Sequence, residues 1–416
     1  MLLSKMRLLS HRLWLTSGVI WVVLGGSCQP DKPAAEHSAA RQPPASPTTA
    51  DTAKPRAASP GDTIDYLAAR LPARPPADTT LIINGQRYQL SLRATADSSR
   101  MLQAKTSGIV GNAFAVDTNF VHNQLVQGPE GRYSIMLRDA TGRRVFRREF
   151  RKADFYPLVG ADIAVVAAPE PPIFLGYYPA LGGLAFWQSV AIPRSDVGMY
   201  VFLLVDLRGR VREISYANTA GYGCADCVPQ AAAVGRALLT CAKLLRPDQS
   251  PLPLPRPKAE LVLARFINDT TLLTIYDYAQ FRYTYEADST LASMTEEEPA
   301  AMRHVPNAFL TTVRGTELAS FRYNGAQNIL GYLVPRAYVP ACDTYYLLDE
   351  DRGLRLINKR NPAATREITF RHMRRFTPPQ RPDEVRFRVQ SETASFDFYA
   401  SRLYPEQLRY QSAAAE

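Results

Sequence analysis

Short apolar segments separated by turn residues follow one another from residue 79 onward. In residues 81–90, two apolar stretches flank Asn84 and Gly85, a pair that tolerates the positive φ angles of a type I′ hairpin turn. In residues 385–389, apolar residues alternate with arginine, which predicts a strand with one buried face and one arginine-bearing face. The pattern predicts antiparallel sheets with one side open to solvent.

Three further hairpins share one order of residues: an apolar strand, Asp, a short turn with Gly, then Arg. They span residues 133–150, 200–214 and 345–357. Hairpin turns require these residues locally, since Asp bonds its own backbone and Gly supplies positive φ. Their spacing is too irregular for a propeller repeat. We therefore expect a mainly β protein of antiparallel, β-sandwich-like modules with one or two helices.

Helical spacing is confined to two segments. Residues 65–71 predict a short helix, and residues 229–245 predict a longer one with Val234, Ala237, Leu238, Cys241 and Leu244 on one face. The proline-rich residues 251–258 then predict a stiff connector. This divides the folded part into a β-rich domain over 62–250, containing the helix, and a second β-rich domain over 259–416.

The N-terminal residues have the layout of a signal peptide over 1–27. Lys5, Arg7 and Arg12 precede an apolar run over 13–24, which is too short to cross a bilayer as a permanent helix. Residues 24–28, Leu-Gly-Gly-Ser-Cys, resemble the lipobox of bacterial lipoproteins, which implies that Cys28 receives lipid and becomes the new N-terminus. The departure from the usual pattern is Gly25, where leucine is typical. The alternative is an ordinary secretory signal with a cysteine nearby by chance.

Residues 28–61 are rich in Pro, Ala, Ser and Thr and carry no apolar periodicity. Such a segment cannot recover its ordering entropy, so we expect a disordered tether. The resemblance also implies that Gln29, rather than Asp, directs the protein to an outer membrane. The predicted location is therefore the cell envelope, with the chain bound to a membrane through its N-terminal lipid.

Charge gives a weaker indication of partners. The formal net charge of +10 falls to +7 once the three basic residues of the signal are removed. Arginine, with 41 residues, far outnumbers lysine. This favours phosphate or carboxylate partners through bidentate hydrogen bonds, although a GC-rich genome explains it equally well and is the first interpretation. The predicted location disfavours nucleic acid as a partner.

Four cysteines remain after Cys28: Cys224, Cys227, Cys241 and Cys342. In an oxidising envelope they are disulfide candidates, first as Cys224 with Cys227 and Cys241 with Cys342. A Cys-x-x-Cys before a helix is also the arrangement of thiol oxidoreductases, but no βαβ context surrounds it. A metal site would lack a nearby histidine, so no metal and no cofactor are expected.

Motifs for hydrolytic chemistry are missing from the sequence. His122, His304 and His372 are isolated, and no Gly-x-Ser-x-Gly, His-Glu-x-x-His or phosphate-binding glycine loop occurs. Paired carboxylates leave no local spacing, so a carboxylate-based hydrolase stays open. A weak binding hypothesis rests on an aromatic cluster that contains Tyr177, Tyr178 and Trp187. Core packing is the commoner role of such residues.

Residues 150–155, Phe-Arg-Lys-Ala-Asp-Phe, resemble a stretch of uncharacterised Bacteroidetes envelope lipoproteins. This resemblance implies a class and a location but no chemistry. The sequence therefore predicts a lipid-anchored envelope protein that is a non-catalytic binding or structural module, with an envelope protein or glycan as partner. The alternative is an envelope enzyme, either thiol-redox at the Cys-x-x-Cys or a carboxylate-based glycan hydrolase.

Overall fold

The computed structural model describes residues 63–65, 77–106, 125–193, 195, 197–217, 229–232, 236–240, 242–247, 249–285, 291–328, 331–391 and 394–413. Within these residues the protein is mainly β, as predicted, and its sheets are almost entirely antiparallel. Cys28, His122, Cys224, Cys227 and Cys241 lie outside the described residues, and so do the predicted signal peptide and tether.

The first three sheets follow one another along the chain. Sheet 1 contains β1 (Thr63–Asp65), β2 (Ala77–Ile83), β3 (Gln86–Lys105), β4 (Leu125–Asp139) and β5 (Arg144–Arg151). Sheet 2 contains β6 (Ile173–Tyr178), β7 (Gly183–Ala191), β8 (Gly198–Asp206) and β9 (Val211–Ala217). Sheet 3 contains β10 (Gln230–Ala231), β11 (Leu238–Leu239), β12 (Lys243–Arg246) and β13 (Gln249–Pro253).

The remaining sheets continue this order. Sheet 4 contains β14 (Glu260–Asn268), β15 (Thr271–Asp277), β18 (Ala308–Thr312) and β19 (Glu317–Phe321), with the hairpin β16 (Gln280–Tyr285) and β17 (Leu291–Glu297) inserted. The pair β20 (Ala326–Asn328) and β21 (Gly331–Leu333) precedes sheet 5, which contains β22 (Arg336–Val339), β23 (Thr344–Asp349), β24 (Gly353–Asn358) and β25 (Arg366–Thr369). Sheet 6 contains β26 (Arg374–Arg375), β27 (Glu384–Gln390), β28 (Ser395–Ser401) and β29 (Leu408–Ala413).

Helices are few and short in the part of the chain that the structure describes. Two α-helices, α1 (Tyr156–Val159) and α2 (Ala161–Val166), connect sheets 1 and 2. Single 3₁₀ turns occur at Lys152–Phe155, Pro179–Leu181, Ala300–Met302, Pro340–Cys342 and Pro362–Ala364. None of the described helices has the length and apolar character needed to cross a lipid bilayer.

Successive sheets pack against each other through hydrophobic clusters. The first cluster joins sheets 1 and 2, the second joins sheets 2, 3 and 4, the third joins sheets 4 and 5, and the fourth joins sheets 5 and 6. Strand β8 shows the principle, because Leu203 belongs to the first cluster whereas Phe202 and Leu204 belong to the second. Central strands are therefore apolar on both faces, which explains their unbroken apolar runs.

Sheets 2 to 5 each have four antiparallel strands in chain order, whereas sheets 1 and 6 each include one parallel strand pair. The irregular sequence spacing, which argued against a propeller repeat, has a structural source. Strands of sheet 3 are two to five residues long, whereas β3 in sheet 1 has 20 residues. The hairpin inserted in sheet 4 adds a further interruption.

The predicted hairpin turns are confirmed. Asn84 and Gly85 have φ values of 50° and 78°, and Ile83 pairs with Gln86 across the turn. In the next hairpin, Asp139 Oδ1 accepts hydrogen bonds from the backbone N–H groups of Thr141 and Arg143. The aspartates that end β8 and β23 bond their own turns in the same way. These turns form for the local reasons that the sequence indicates.

The predicted helix over 229–245 is wrong. Within this range the residues that the structure describes include β10, β11 and most of β12, and Leu238 pairs with Leu245 while Leu239 pairs with Leu244. All four leucines are buried in the second cluster. Two short strands that are buried on both faces therefore place apolar residues at a spacing that matches that of a helix. For the short helix predicted over 65–71, residue 65 ends strand β1 and the rest lies outside the described residues.

The proline-rich connector is also different from the prediction. Residues 249–253 form strand β13, which pairs with β12, and Leu254 is buried. The Tyr276 hydroxyl of sheet 4 donates a hydrogen bond to the Leu254 carbonyl at 2.7 Å. The second cluster contains residues from both sides of this segment. The boundary expected at 251–258 therefore falls within a continuous hydrophobic core.

The alternation predicted for residues 385–389 is confirmed. Val385, Phe387 and Val389 face the fourth cluster, whereas Arg386 and Arg388 are exposed on the opposite face. Both arginines bind Asp397 of the neighbouring strand, at 2.7 and 3.0 Å. The outward face of sheet 6 is therefore polar and internally paired.

Candidate functional site

The three aromatic residues of the weak binding hypothesis are divided between the two faces of sheet 2. Tyr177 packs against the first cluster, whereas Tyr178 and Trp187 pack against the second. The Trp187 ring lies 5.2 Å from the ring of Tyr200. Each of the three side chains is partly buried. Their packing is that of core residues, and they do not share a groove.

Cys342 is a free, buried thiol, and its three candidate disulfide partners lie outside the described residues. Its Sγ lies 3.3 Å from the hydroxyl oxygen of Tyr346 and 3.7 Å from the Val339 carbonyl oxygen. The thiol thus fills a polar position at the edge of the fourth cluster. Groups of three or more His, Cys, Asp or Glu side chains arranged to bind a metal are not found among the described residues.

The Phe-Arg-Lys-Ala-Asp-Phe segment has a structural role at the end of sheet 1. Phe150 and Phe155 stack in the first cluster with their ring centroids 6.0 Å apart. Asp154 Oδ2 accepts a hydrogen bond from the Arg151 backbone N–H at 2.8 Å. Lys152 is fully buried, and burial lowers its pKa to about 8, while nearby Glu130 acts in the opposite direction. The Lys152 amine is therefore not accessible from solvent.

A recess between sheets 4 and 5 brings together residues that the sequence did not single out. Its volume is about 390 Å³, and it is lined by Arg265 of β14, Val334, Arg336, Tyr338 and Tyr345. Arg265 is two residues from Leu263 in β14, so both side chains lie on the same face of the strand. Leu263 belongs to the third cluster. Tyr345 belongs to that same cluster. The recess is therefore the open rim of the core between these two sheets.

Two tyrosines form the aromatic wall of the recess. Tyr338 and Tyr345 are paired across β22 and β23, and their ring centroids are 4.6 Å apart. The Tyr338 hydroxyl donates a hydrogen bond to Asp343 Oδ1 at 2.8 Å, and Lys359 Nζ lies 5.2 Å from the centre of the Tyr338 ring. Asp343 also binds Arg360 at 3.0 Å. These contacts hold the exposed ring in one orientation.

The pKa values around this wall agree with its hydrogen bonds. Burial and the bond to Asp343 both raise the pKa of the Tyr338 hydroxyl, burial being the larger cause. The Tyr338 hydroxyl and Arg360 lower the pKa of Asp343, so this carboxylate is charged at neutral pH. The Asp343 carboxylate is therefore already bound by Tyr338 and Arg360.

Two arginines, Arg336 of β22 and Arg265 of β14, add positive charge to the lining. Arg336 Nη1 donates to the Val334 carbonyl at 3.0 Å, which positions its guanidinium at the rim. Arg265 is half-buried and has neither an ion pair nor a hydrogen-bonding partner among the described residues. A partly desolvated guanidinium without a counter-ion favours an anionic ligand, and its planar fork matches a carboxylate or phosphate.

Sheets 4 and 5 are fixed relative to each other beside the recess. The Asn268 side-chain amide donates to the Lys359 carbonyl at 2.7 Å. Arg355 of β24 places its guanidinium 4.5 Å from the ring centre of Phe321 in β19. The recess is thus held between rigid strands, which suits a preformed binding site.

The lining of the recess offers recognition rather than acid–base chemistry. It contains two arginines, two tyrosines and a valine, with no carboxyl or imidazole group. Elsewhere, burial raises the pKa of the carboxyl groups of Asp277 and Asp349. Asp277 accepts the Ala279 N–H, and Asp349 accepts N–H groups of its own turn. Both carboxyls thus serve turns, and neither lines the recess.

The sequence contained only a partial signal for this site. Tyr345 lies in a predicted strand, but its partner Tyr338 and the two arginines come from other segments. Their convergence depends on how sheet 5 packs on sheet 4, which no local spacing encodes. Neither of the two described histidines, His304 and His372, lines the recess, and His372 Nδ1 contacts Thr369 Oγ1 at 2.7 Å in an exposed turn.

Comparisons with known proteins give no family. No family model matches this chain, and no curated protein matches it. Among solved structures, BamB from Moraxella catarrhalis is 9% identical, with 83% of this chain and 98% of that chain covered and a TM-score of 0.19. The Pan2 WD40 domain of Neurospora crassa is 8% identical, with 82% and 89% covered and a TM-score of 0.22. Both TM-scores are too low to assign a fold family or a function to this chain.

Proposed function

We propose that this chain is a non-catalytic binding module of the cell envelope, anchored by lipid on Cys28, whose recess binds an acidic sugar of an envelope glycan. The half-buried guanidinium of Arg265 beside the Tyr338–Tyr345 wall is the observation that supports this proposal most strongly. A pyranose ring presents C–H groups that pack on aromatic faces, and a uronic acid adds a carboxylate for arginine.

The size and charge of the recess support this ligand class. Its volume of about 390 Å³ lies within the range of small-molecule sites, roughly 300–1,000 Å³. Two arginines and no carboxylate in the lining exclude cationic ligands by repulsion. The exposed Tyr338 ring leaves one side of the recess open, which allows an oligosaccharide to continue beyond the bound residue.

Titration calorimetry with oligosaccharides of glucuronic acid and of glucose tests the ligand class. We expect binding of the acidic series only. Arg265→Gln removes the unpartnered guanidinium and should weaken binding about tenfold or more. Arg314→Gln, in an exposed turn of sheet 4, is the matched control and should bind normally. Equal binding of both sugar series, or an unaffected Arg265→Gln variant, would contradict the proposal.

Three further measurements test the enzymatic alternatives and the anchor. Chromatography of the same oligosaccharides after long incubation should show no shortened products, whereas cleavage would indicate the glycan hydrolase. In cells, Cys28→Ala should leave the protein without lipid label, and a variant that still carries label would refute the anchor. A pair at Cys224 and Cys227 that mild glutathione readily reduces would favour the thiol-redox enzyme.

A further inference from the structure

Sheet 1 carries a basic surface on the side opposite to the first cluster, which we call the arginine face. In β4, Tyr133, Ile135 and Leu137 point into the cluster and are fully buried. The alternating positions therefore project outward, and the register aligns them with outward residues of β3 and β5. The arginines of this face are Arg87, Arg93, Arg132, Arg138, Arg144, Arg147 and Arg151.

Carboxylates neutralise three of these seven arginines. Arg93 pairs with Asp78 at 2.8 Å, Arg132 pairs with Asp97 at 3.0 Å, and Arg147 pairs with Glu149. These three ion pairs leave Arg87, Arg138, Arg144 and Arg151, for which the structure gives no carboxylate partner within the described residues.

Three of these four arginines, Arg87, Arg138 and Arg144, lie near one end of the sheet, whereas Arg151 lies at the other end of β5. Arg138 and Arg144 are paired across β4 and β5, and Arg138 Nη1 is held by the Gly142 carbonyl oxygen at 2.9 Å. A surface concavity of about 570 Å³ lies beside them, lined by Arg132, Arg144, Arg147, Arg148 and Glu149. This end of the sheet thus has excess positive charge and room for an anionic group.

Apolar side chains project from the same end. Ile82, directly opposite Arg87 in the hairpin register, is 67% exposed, and Val145, next to Arg144, is 38% exposed. Large apolar side chains this exposed gain nothing from a purely polar partner. Basic residues beside exposed apolar ones suit a bilayer surface, where arginine binds headgroup phosphates and the apolar groups enter the acyl boundary.

We propose that the arginine face docks on an anionic lipid bilayer through headgroup phosphates, with Ile82 and Val145 at the headgroup boundary. This contact is separate from the recess, which lies between sheets 4 and 5. It also needs no lipid on Cys28, although an anchored chain would have its bilayer already within reach. A soluble polyanion is the other partner that the charge would accept, but it leaves the exposed isoleucine unexplained.

The test uses the mature chain over 28–416 with Cys28→Ala, which keeps every residue that the structure describes. Co-sedimentation is measured with vesicles of phosphatidylcholine alone and with vesicles that also contain phosphatidylglycerol. We expect binding only to the anionic vesicles, weakening as salt rises. The triple variant Arg87→Gln, Arg138→Gln, Arg144→Gln leaves the three ion pairs intact and should lower this binding about tenfold or more.

A second triple variant, Arg303→Gln, Arg314→Gln, Arg402→Gln, removes the same charge from exposed positions elsewhere and should bind vesicles normally. Ile82→Ser should weaken vesicle binding but leave binding to soluble dextran sulfate unchanged. Equal loss of vesicle binding in the two triple variants would overturn the proposal. Normal vesicle binding by Ile82→Ser would also overturn it, in favour of a soluble polyanion as the partner. Binding of glucuronic acid oligosaccharides by the first triple variant keeps this test separate from that of the recess.

Discussion

Lys152 Nζ donates a hydrogen bond to the Val165 carbonyl oxygen at 2.6 Å and thereby joins the end of sheet 1 to helix α2. The amine is fully buried, and its pKa of about 8 lies below the ordinary 10.5 because burial disfavours the charged form. At neutral pH the fold therefore keeps a charged lysine in its interior. The free-energy cost of burying this charge therefore depends on pH.

Between pH 8 and pH 10.5 the unfolded chain keeps the Lys152 proton that the folded chain has lost. The unfolded state then binds more protons, so the free energy of unfolding rises with pH, by up to about 3 kcal/mol from this group. Lys152→Met should lack this rise. Urea denaturation of both proteins across the window measures the difference between the two profiles. Parallel profiles would show that the amine is not desolvated in the fold.

Asp397 should be important for stability in sheet 6. Its carboxylate is nearly fully buried, and hydrogen bonds from Arg388 and then Arg386 lower its pKa to about 2. We expect Asp397→Asn to lower the free energy of unfolding at neutral pH by about 1–3 kcal/mol, because two arginines lose their anionic partner. Chemical denaturation checks this, with the exposed Glu317→Gln as a control that should change little.

The pH dependence of the Asp397 contribution has the opposite sign to that of Lys152. A carboxyl whose pKa is lowered by folding stabilises the protein above the ordinary pKa of 3.8. The stabilisation is lost as pH falls through that value toward about 2. Acid unfolding of Asp397→Asn should therefore lack this component. An identical acid transition in both proteins would count against the ion pairs.

The two halves of the chain, 62–250 and 259–416, should not fold as separate domains. Phe202 and Leu204 of sheet 2 share a cluster with Ala264 and Leu272 of sheet 4, so separation exposes both sets. We expect each half to aggregate or to lack near-ultraviolet circular dichroism, whereas the whole chain unfolds cooperatively. A cooperative thermal transition in either isolated half would restore the predicted boundary.

Cys342 should behave as a protected thiol. Its side chain is buried beside Tyr346, so alkylation should be slow in the native protein and fast in urea. Peptide mapping without reduction measures the modified fraction, and Cys342→Ala identifies the peptide. A cross-linked peptide that joins Cys342 to Cys241 would contradict the free thiol.

The local parts of the fold were predictable from the sequence. The Asn84–Gly85 turn, the aspartates that bond hairpin turns and the alternation in β27 each depend on neighbouring residues, and the structure confirms all three. The chemistry of a tight turn or of one wet sheet face is encoded within a few positions. For such features a single sequence is sufficient.

Longer-range features were not predictable in the same way. Leu238 and Leu244 have helical spacing, but tertiary packing places them on adjacent strands buried on both faces. The prolines near residue 251 predicted a connector, but residues 249–253 form strand β13, which completes sheet 3. Arg265 meets Tyr338 only because sheet 5 packs on sheet 4. Each error comes from a contact between segments that are distant in sequence.

The order of the four main clusters has a consequence for how the chain acquires its structure. Each cluster is completed by sheets that are neighbours along the chain, so an N-terminal sheet gains its apolar cover as soon as the next one or two emerge. Sheet 1 does not have to wait for sheet 6 to bury its inner face. A polypeptide delivered N-terminus first can therefore assemble progressively, with only its most recent sheet exposed to aggregation.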